Sequence, residues 1–573
     1  MKLSNESNCM TVIVGRAASE TGRVLVAHNE DDYIHAKVKH HFVPARDWPE
    51  GTLLPAEEGL TRIPQVSHTL AYSWVEITGQ SGGLSTSDCF LNEKGVCVIS
   101  DSSCGSIEDA CDPKLCSDGI VYELRRAVAE RAESARDAYR IARELVDKYG
   151  YASPGRIYFF ADKDSAYMLQ LARGRSYAGC RLPDDCAIVM PNHFTIHGLS
   201  GLEEAVYPEG LIERAIDKGW YKPQTSDCSD FDFARAYQNP ATYMHSENTL
   251  RQKYATQLLL GREWSIDTDG FPPYVRPAAP IGIAKIMEVM STHYEGTDSD
   301  VRFGPGLSPH NTCVRRVCTG TTVESMIFEF TDMPLMTTVW TTFGRPCELI
   351  YLPLHPLCGE LKQLEAHEDP YEAARTHFLK KPFNTCFKPD GWQKTQNFQN
   401  LAELKYSGSI ASIKRMKQAA FEYLKKSESD LRQDFDADKA NASDNCAFEY
   451  SLKAMDEYMA SEPHLINAEV IEARITRGEG VSKAHVLFSY DSAPDEASML
   501  FGPGRTELHR DYAAPVFGSL KHESSGLWSM SFVFGGKPLK EDGEGDYEFI
   551  LGGMDLCALI IMHLNADGSG YKA

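Results

Sequence analysis

The stretch Cys9-Met10-Thr11-Val12-Ile13-Val14-Gly15-Arg16 restricts the fold more than any other in the chain. A single thiol opens a run of Thr, Val and Ile, whose branched side chains suit a pleated strand. A second apolar run, 23–28, closes on Asn29-Glu30-Asp31-Asp32, and Ser19-Glu20-Thr21-Gly22 between the two suits a hairpin link. Cys9 is therefore expected at the start of a strand, with Asn29 to Asp32 returning beside it. Two readings of the thiol stand open. A cysteine in an edge strand is by default a small buried hydrophobe. A thiol at a strand start, close to the N-terminus and faced by polar residues, is also how an N-terminal nucleophile is presented.

Composition narrows the classes. The chain has 573 residues, enough for two to four domains, and 42% hydrophobic with 24% charged residues allows a sizeable core. A net charge of −23 argues against nucleic acid or an anionic membrane as main partner, because both need a basic footprint. Residues 1–8 lack the apolar segment of a secretory signal, and no apolar run is long enough to span a bilayer. A cytoplasmic setting is expected, with the 16 cysteines as thiols. Cys104, Cys111 and Cys116 cluster without C-x2-C spacing or paired histidines, and His40-His41 lacks an H-E-x-x-H frame and reads as surface histidine. No metal or cofactor is expected.

Along the chain, 69–76 alternates as a strand, 79–83 is a glycine-rich loop, and 89–100 reads as strand, turn at Asn92 to Gly95, and strand. Residues 119–149 follow a helical period, divided by Ser134-Ala135-Arg136-Asp137 as a capping box. Strands follow at 156–161, 166–172, 176–181 and 186–191, then a helix at 202–218 and a Gly/Pro-rich loop at 267–280. Further strands are expected at 322–330, 337–342 and 347–354. Residues 405–460 are helical with a polar link at 434–444, and 467–573 return to β-type runs. The order suggests an α+β architecture: a leader at 1–8, a core at 9–400, a helical segment at 401–466 and a β-rich C-terminal module at 467–573.

A thiol attacks as thiolate and needs a base. No papain-type Cys/His frame is present. If the bond before Cys9 is cut, the new α-amine, with an ordinary pKa of about 7.7–8.0, can take the thiol proton. The leader would then block the base until removed.

Cys9-Met10-Thr11 with Val14-Gly15-Arg16, His28-Asn29-Glu30-Asp31-Asp32, Asn92-Glu93-Lys94-Gly95-Val96 and Pro191-Asn192-His193-Phe194, in this order, resemble peptidase family C69, the dipeptidase A and secernin family, over roughly residues 9–400. The resemblance implies an N-terminal nucleophile (Ntn) hydrolase: an αββα four-layer sandwich that hydrolyses dipeptides through a thioester on Cys9. It implies that Asp31 holds the freed amine, that Asn192 donates to the oxyanion, and that Asp101 or Ser102 lies at a further oxyanion position. Arg315 or Arg316 matches a late active-site arginine, and His28 and Asn29 flank the substrate along with Arg316. There are departures. His28 replaces the arginine of choloylglycine-type relatives, and Met10 stands where a small Thr or Ser is more usual. Hydrolysis of an N-acyl amide, or a secernin-like binding role without peptidase activity, are the competing readings. Small peptides or amides are the expected partners, and a homo-oligomer is compatible with the sequence.

Overall fold

The computed structural model describes residues 9–564, apart from 33–36, 57–58, 79–85, 103–104, 109–118, 303–306, 311–313, 363–390, 405, 462–467, 479–480, 491–493, 495, 497–498, 504–513, 536–544 and 554–555. The leader, the 79–83 loop and Cys104, Cys111 and Cys116 lie outside the described residues. The chain divides into two units. One comprises Met1–Asp300, Val314–Lys381 and Phe421–Ala447; the other comprises Val301–Cys313, Pro382–Ala420 and Phe448–Ala573.

In the first unit the chain runs β1 (Met10–Val14), β2 (Leu25–Asp31), β3 (Lys37–Val43), β4 (Tyr72–Thr78), β5 (Thr86–Asn92) and β6 (Cys97–Ser102). Helices α1 (Glu123–Ala129) and α2 (Ala135–Tyr149) follow, then β7 (Arg156–Ala161), β8 (Ala166–Leu171), β9 (Tyr177–Arg181) and β10 (Ala187–Met190). After α3 (Ser246–Leu260) and α4 (Ile283–Met290) come β11 (Thr322–Glu329), β12 (Thr338–Thr342) and β13 (Leu352–Leu354).

These strands make two antiparallel sheets, in the orders β10-β1-β2-β11-β12-β13 and β9-β8-β7-β6-β5-β4-β3. Helices α1 and α2 pack on the second sheet, α3 and α4 on the first. Alternation along the strands explains how both faces of the second sheet are used. Trp74, Phe90, Val98, Tyr158, Phe160 and Leu169 meet Leu124, Val128, Tyr139 and Val146 of the helices in one core. Residues of opposite parity, Asp101 among them, face the first sheet. Every residue of β1 and β2 is buried, as expected of strands covered on both sides.

Local signals hold where they are strongest. Ser134 caps α2, its hydroxyl accepting from the Asp137 N–H at 3.1 Å. Asn92 is buried and makes four hydrogen bonds: its amide donates to the carbonyls of Ala129 and Ala132 at 2.9 and 2.8 Å, and its oxygen accepts from the N–H groups of Lys94 and Val96, both at 3.0 Å. Gly15 has no room for a side chain, since a Cβ there would lie 2.5 Å from the Asp184 carbonyl oxygen.

Four expectations are corrected. His40 and His41 are not surface residues: His41 stacks on Trp74 and meets Glu76 at 2.8 Å, while His40, of opposite parity on β3, meets Glu324 of the first sheet at 2.5 Å. The helix expected from 202 begins at Leu211, after Gly210 at φ 76. The polar link within the late helices is confined to 434–436, between Tyr406–Gln433 and Ala437–Ser461. Asp444 belongs to the second of these helices and is buried, 2.8 Å from His355 Nδ1. The 347–354 strand shrinks to Leu352–Leu354.

The second unit carries the helix Gly391–Leu404, which the sequence pattern did not announce, and the strands expected over 467–573. Ala468–Gly478, Val481–Tyr490 and Leu527–Gly535 pair in that order, and Leu500–Pro503, Gly545–Gly553 and Leu556–Leu564 form a separate sheet. Val486, Phe488, Phe501, Met530, Phe532 and Phe549 make its core. Among the described residues no helix is long and apolar enough to cross a membrane.

Candidate active site

Pairing of Met10 with Asn29 sets the register of β1 and β2. Carried one step further, it places Cys9 opposite Glu30, and directly opposed residues share a face. The buried Cys9 thiol indeed lies 3.3 Å from Glu30 Oε2. The same carboxylate oxygen lies 3.0 Å from His28 Nε2. His28 Nδ1 lies 2.9 Å from Thr11 Oγ1 and 3.2 Å from Asp101 Oδ1, and Thr11 donates to Asp101 at 3.1 Å. A neutral imidazole carries one N–H only. With Thr11 donating to Asp101, its oxygen is left to accept from His28 Nδ1–H, and His28 Nε2 faces Glu30. Cys9, Glu30, His28, Thr11 and Asp101 thus form a buried chain of hydrogen-bond contacts that bridges the two sheets. Cys9, His28 and Glu30 offer ligand atoms within 4.8 Å of one another, a thiol, imidazole and carboxylate set of the kind that also suits zinc.

The other face of β2 carries Asn29 and Asp31. Asp31 Oδ1 accepts from Thr322 Oγ1 at 2.6 Å, and Oδ2 is buried with no hydrogen-bond partner among the described residues. Burial pushes its carboxyl up to about 6; Thr322, the charges of Arg251 and Arg315, and Thr319 oppose that rise without cancelling it. Asn29 donates to the carbonyls of Met290 and Val317, both at 2.9 Å, so its amide clasps two loops together.

The residue that sequence reasoning missed altogether is Arg251. Fully buried on α3, it donates to the Cys9 carbonyl at 2.8 Å, to Asn192 Oδ1 at 2.8 Å, to Asn248 Oδ1 at 2.5 Å and to the Glu247 carbonyl at 2.9 Å. Arginine only donates, so the Asn192 atom facing it must be the oxygen, which directs Nδ2 away from the guanidinium. Its neighbour His193 meets Gln252 Oε1 at 2.7 Å, and burial lowers its pKa to about 4, which keeps it neutral.

Of the two candidate arginines, Arg315 acts on Asp31 through its charge. Arg316 is buried, donates to the Ser299 carbonyl at 2.6 Å and lies over the Tyr294 ring. His28 therefore meets Asp101 directly and Cys9 through Glu30, Asn192 joins them through Arg251, and Asn29 and Arg316 hold backbone and ring. Glu30 could have been found by strand parity from Cys9. Arg251 had no such signal, because α3 buries Asn248, Arg251 and Gln252 in place of an apolar stripe.

Residues 8–381 match the family model described as Peptidase family C69. The chain belongs to peptidase family C69. It is 24% identical over 357 residues to a probable dipeptidase of Latilactobacillus sakei, covering 61% of this chain and 74% of that protein. A probable dipeptidase of Salmonella dublin is 23% identical over 367 residues, 61% of this chain and 80% of that protein. A probable dipeptidase B of Lactococcus lactis is 21% identical over 309 residues, 52% and 64% of the respective chains. As a C69 member the chain is a peptidase, a hydrolase of amide bonds.

Proposed function

We propose that this C69 chain is a cysteine dipeptidase of the Ntn type, with Cys9 as nucleophile after loss of residues 1–8. The observation that carries the reading is the single guanidinium of Arg251, which holds both the Cys9 carbonyl and Asn192 at 2.8 Å. It fixes a thiol and an amide donor relative to one another. The two sheets with helices packed on each support reading the first unit as the αββα sandwich of such hydrolases. The names of the relatives support a dipeptide as substrate.

While residue 8 is attached, the Cys9 nitrogen is an amide and no base. Glu30, 3.3 Å from the thiol, is placed to take its proton in that state. The thiolate attacks the carbonyl carbon of residue 8, the acyl group passes from nitrogen to sulfur, and water releases the leader. The freed amine lies at the end of β1, beside the strand that carries Asp31. In turnover it accepts the thiol proton, sulfur adds to the dipeptide carbonyl, and Asn192 Nδ2 donates to the oxyanion. One such donor is worth about 2.7–4 kcal/mol. The amine returns the proton to the departing amino group. It then activates water, which cleaves the thioester and regenerates the thiol.

Intact-mass measurement with a dipeptide assay tests this. Active protein should begin at Cys9, Cys9→Ser should slow leader loss and turnover, and Cys9→Ala should abolish both. An active chain that begins at Met1 would remove the amine base, and preference for acyl amides over a dipeptide panel would replace the substrate class.

A further inference from the structure

We propose that His293, Cys318 and Cys347 hold a structural zinc ion in the first unit. The three side chains are 1%, 0% and 3% exposed, and their ligand atoms lie within 4.8 Å of one another. They come from three separate segments: the loop after α4, the loop before β11 and the turn after β12. Both cysteines are thiols in the structure. Two thiolates with an imidazole are the donor set that selects zinc over the hard cations.

The histidine is prepared as a ligand. Glu295 Oε1 lies 3.1 Å from His293 Nδ1, and Oε2 accepts the His293 backbone N–H at 3.0 Å. A carboxylate on Nδ1–H fixes the tautomer and leaves the Nε2 lone pair for the metal. Binding zinc through two thiolates and one neutral imidazole releases the two thiol protons, and the fourth position falls to water or a further donor.

The placement gives the ion a purpose. Cys318 follows Val317, and His293 lies three residues past Met290, whose carbonyls are the two acceptors of Asn29 on β2. The metal would lock together the two loops that clasp β2, one of which carries Arg315 and Thr319 beside Asp31. The inference does not depend on the dipeptidase reading.

The test is metal analysis of the full chain produced in zinc-supplemented medium. Stoichiometric zinc is expected; after exchange for cobalt, thiolate-to-cobalt charge-transfer and tetrahedral ligand-field bands should appear. Cys318→Ser and Cys347→Ser should lose both signatures. Should those variants fail to fold, Glu295→Gln keeps all three ligands and is expected to weaken zinc retention against a chelator roughly 10–100-fold. Metal-free protein from zinc-containing medium, zinc retention unchanged in all the variants tested, or a Cys318–Cys347 disulfide in the non-reduced peptide map would each overturn the proposal.

Discussion

Asp31→Asn should stabilise the uncleaved chain while disabling the enzyme. Burial holds the Asp31 carboxyl near 6 in the folded state, against an ordinary 3.8. A carboxyl whose folded pKa is raised binds its proton more tightly in the native state, so ionising it costs stability. The cost is absent below about pH 4, grows as pH rises through the interval to about 6, and is complete above it. A shift of roughly 2 units corresponds to about 3 kcal/mol. Asparagine keeps the Thr322 hydrogen bond and never ionises. In a Cys9→Ala background, where the leader stays on, Asp31→Asn should therefore raise the urea midpoint by the equivalent of about 3 kcal/mol near pH 7.5 and leave it unchanged near pH 4. In the processed enzyme the Cys9 ammonium is proposed to sit beside the carboxylate, and the gain should shrink. No pH-dependent difference in the uncleaved pair would refute the buried-charge reasoning. Equal gains before and after processing would refute the pairing of Asp31 with the amine.

Three further perturbations probe separate parts of the unit. Arg251→Met removes the donor from three buried side-chain and backbone acceptors; a loss of roughly 3–5 kcal/mol in denaturation and about 10²–10³ in kcat, from misplacement of Asn192, is expected, and wild-type turnover would sink its positioning role. Burial works to lower the pKa of His355, but its contacts with Asp444 and Glu428 outweigh that and raise it from 6.5 to about 9. Its stabilising effect should be full below about pH 6.5 and fade as pH rises through about 9, so the deficit of His355→Gln, roughly 3 kcal/mol at the acidic end, should vanish in alkaline denaturation curves. Asn92→Leu leaves two carbonyls and two N–H groups unpaired in the core; stability measured by urea should fall by roughly 2–4 kcal/mol, with kcat of the folded fraction unchanged.

What could be read from the sequence is what local physics decides. β1 and β2 follow from branched residues, α2 from the Ser134 cap, and the Asn92 turn from its Asn-Glu-Lys-Gly chemistry, each within a few residues. Asp31 and Asn192 came from motif resemblance, and the structure adds what holds them. Thr322, which binds Asp31, lies 291 residues away in sequence. No local pattern pairs β2 with β11, and none marks a helix whose buried face is polar. His41 failed as a surface residue for the same reason: two adjacent histidines look hydrophilic, but on opposite faces of β3 each finds a carboxylate, Glu324 for His40 and Glu76 for His41.

Strand parity is what the site depends on. On β2, His28 and Glu30 face the thiol and the second sheet, while Asn29 and Asp31 face the helices and the loop before β11. Sheet pleat allows no intermediate arrangement, so a slip of one residue between β1 and β2 would exchange the two sets. Asn29 or Asp31 would then oppose Cys9, Glu30 would lose the thiol, and His28 would lose Thr11 and Asp101. The link between the strands is long, 15–24, and a two-residue turn does not fix its register. That task falls to contacts further away: the Arg251 guanidinium on the Cys9 carbonyl, and the Asn29 amide between the Met290 and Val317 carbonyls. Asn29 thus serves the chemistry through register. Asn29→Ala should consequently lower leader cleavage and dipeptide turnover together, because one slipped strand removes the partners of both.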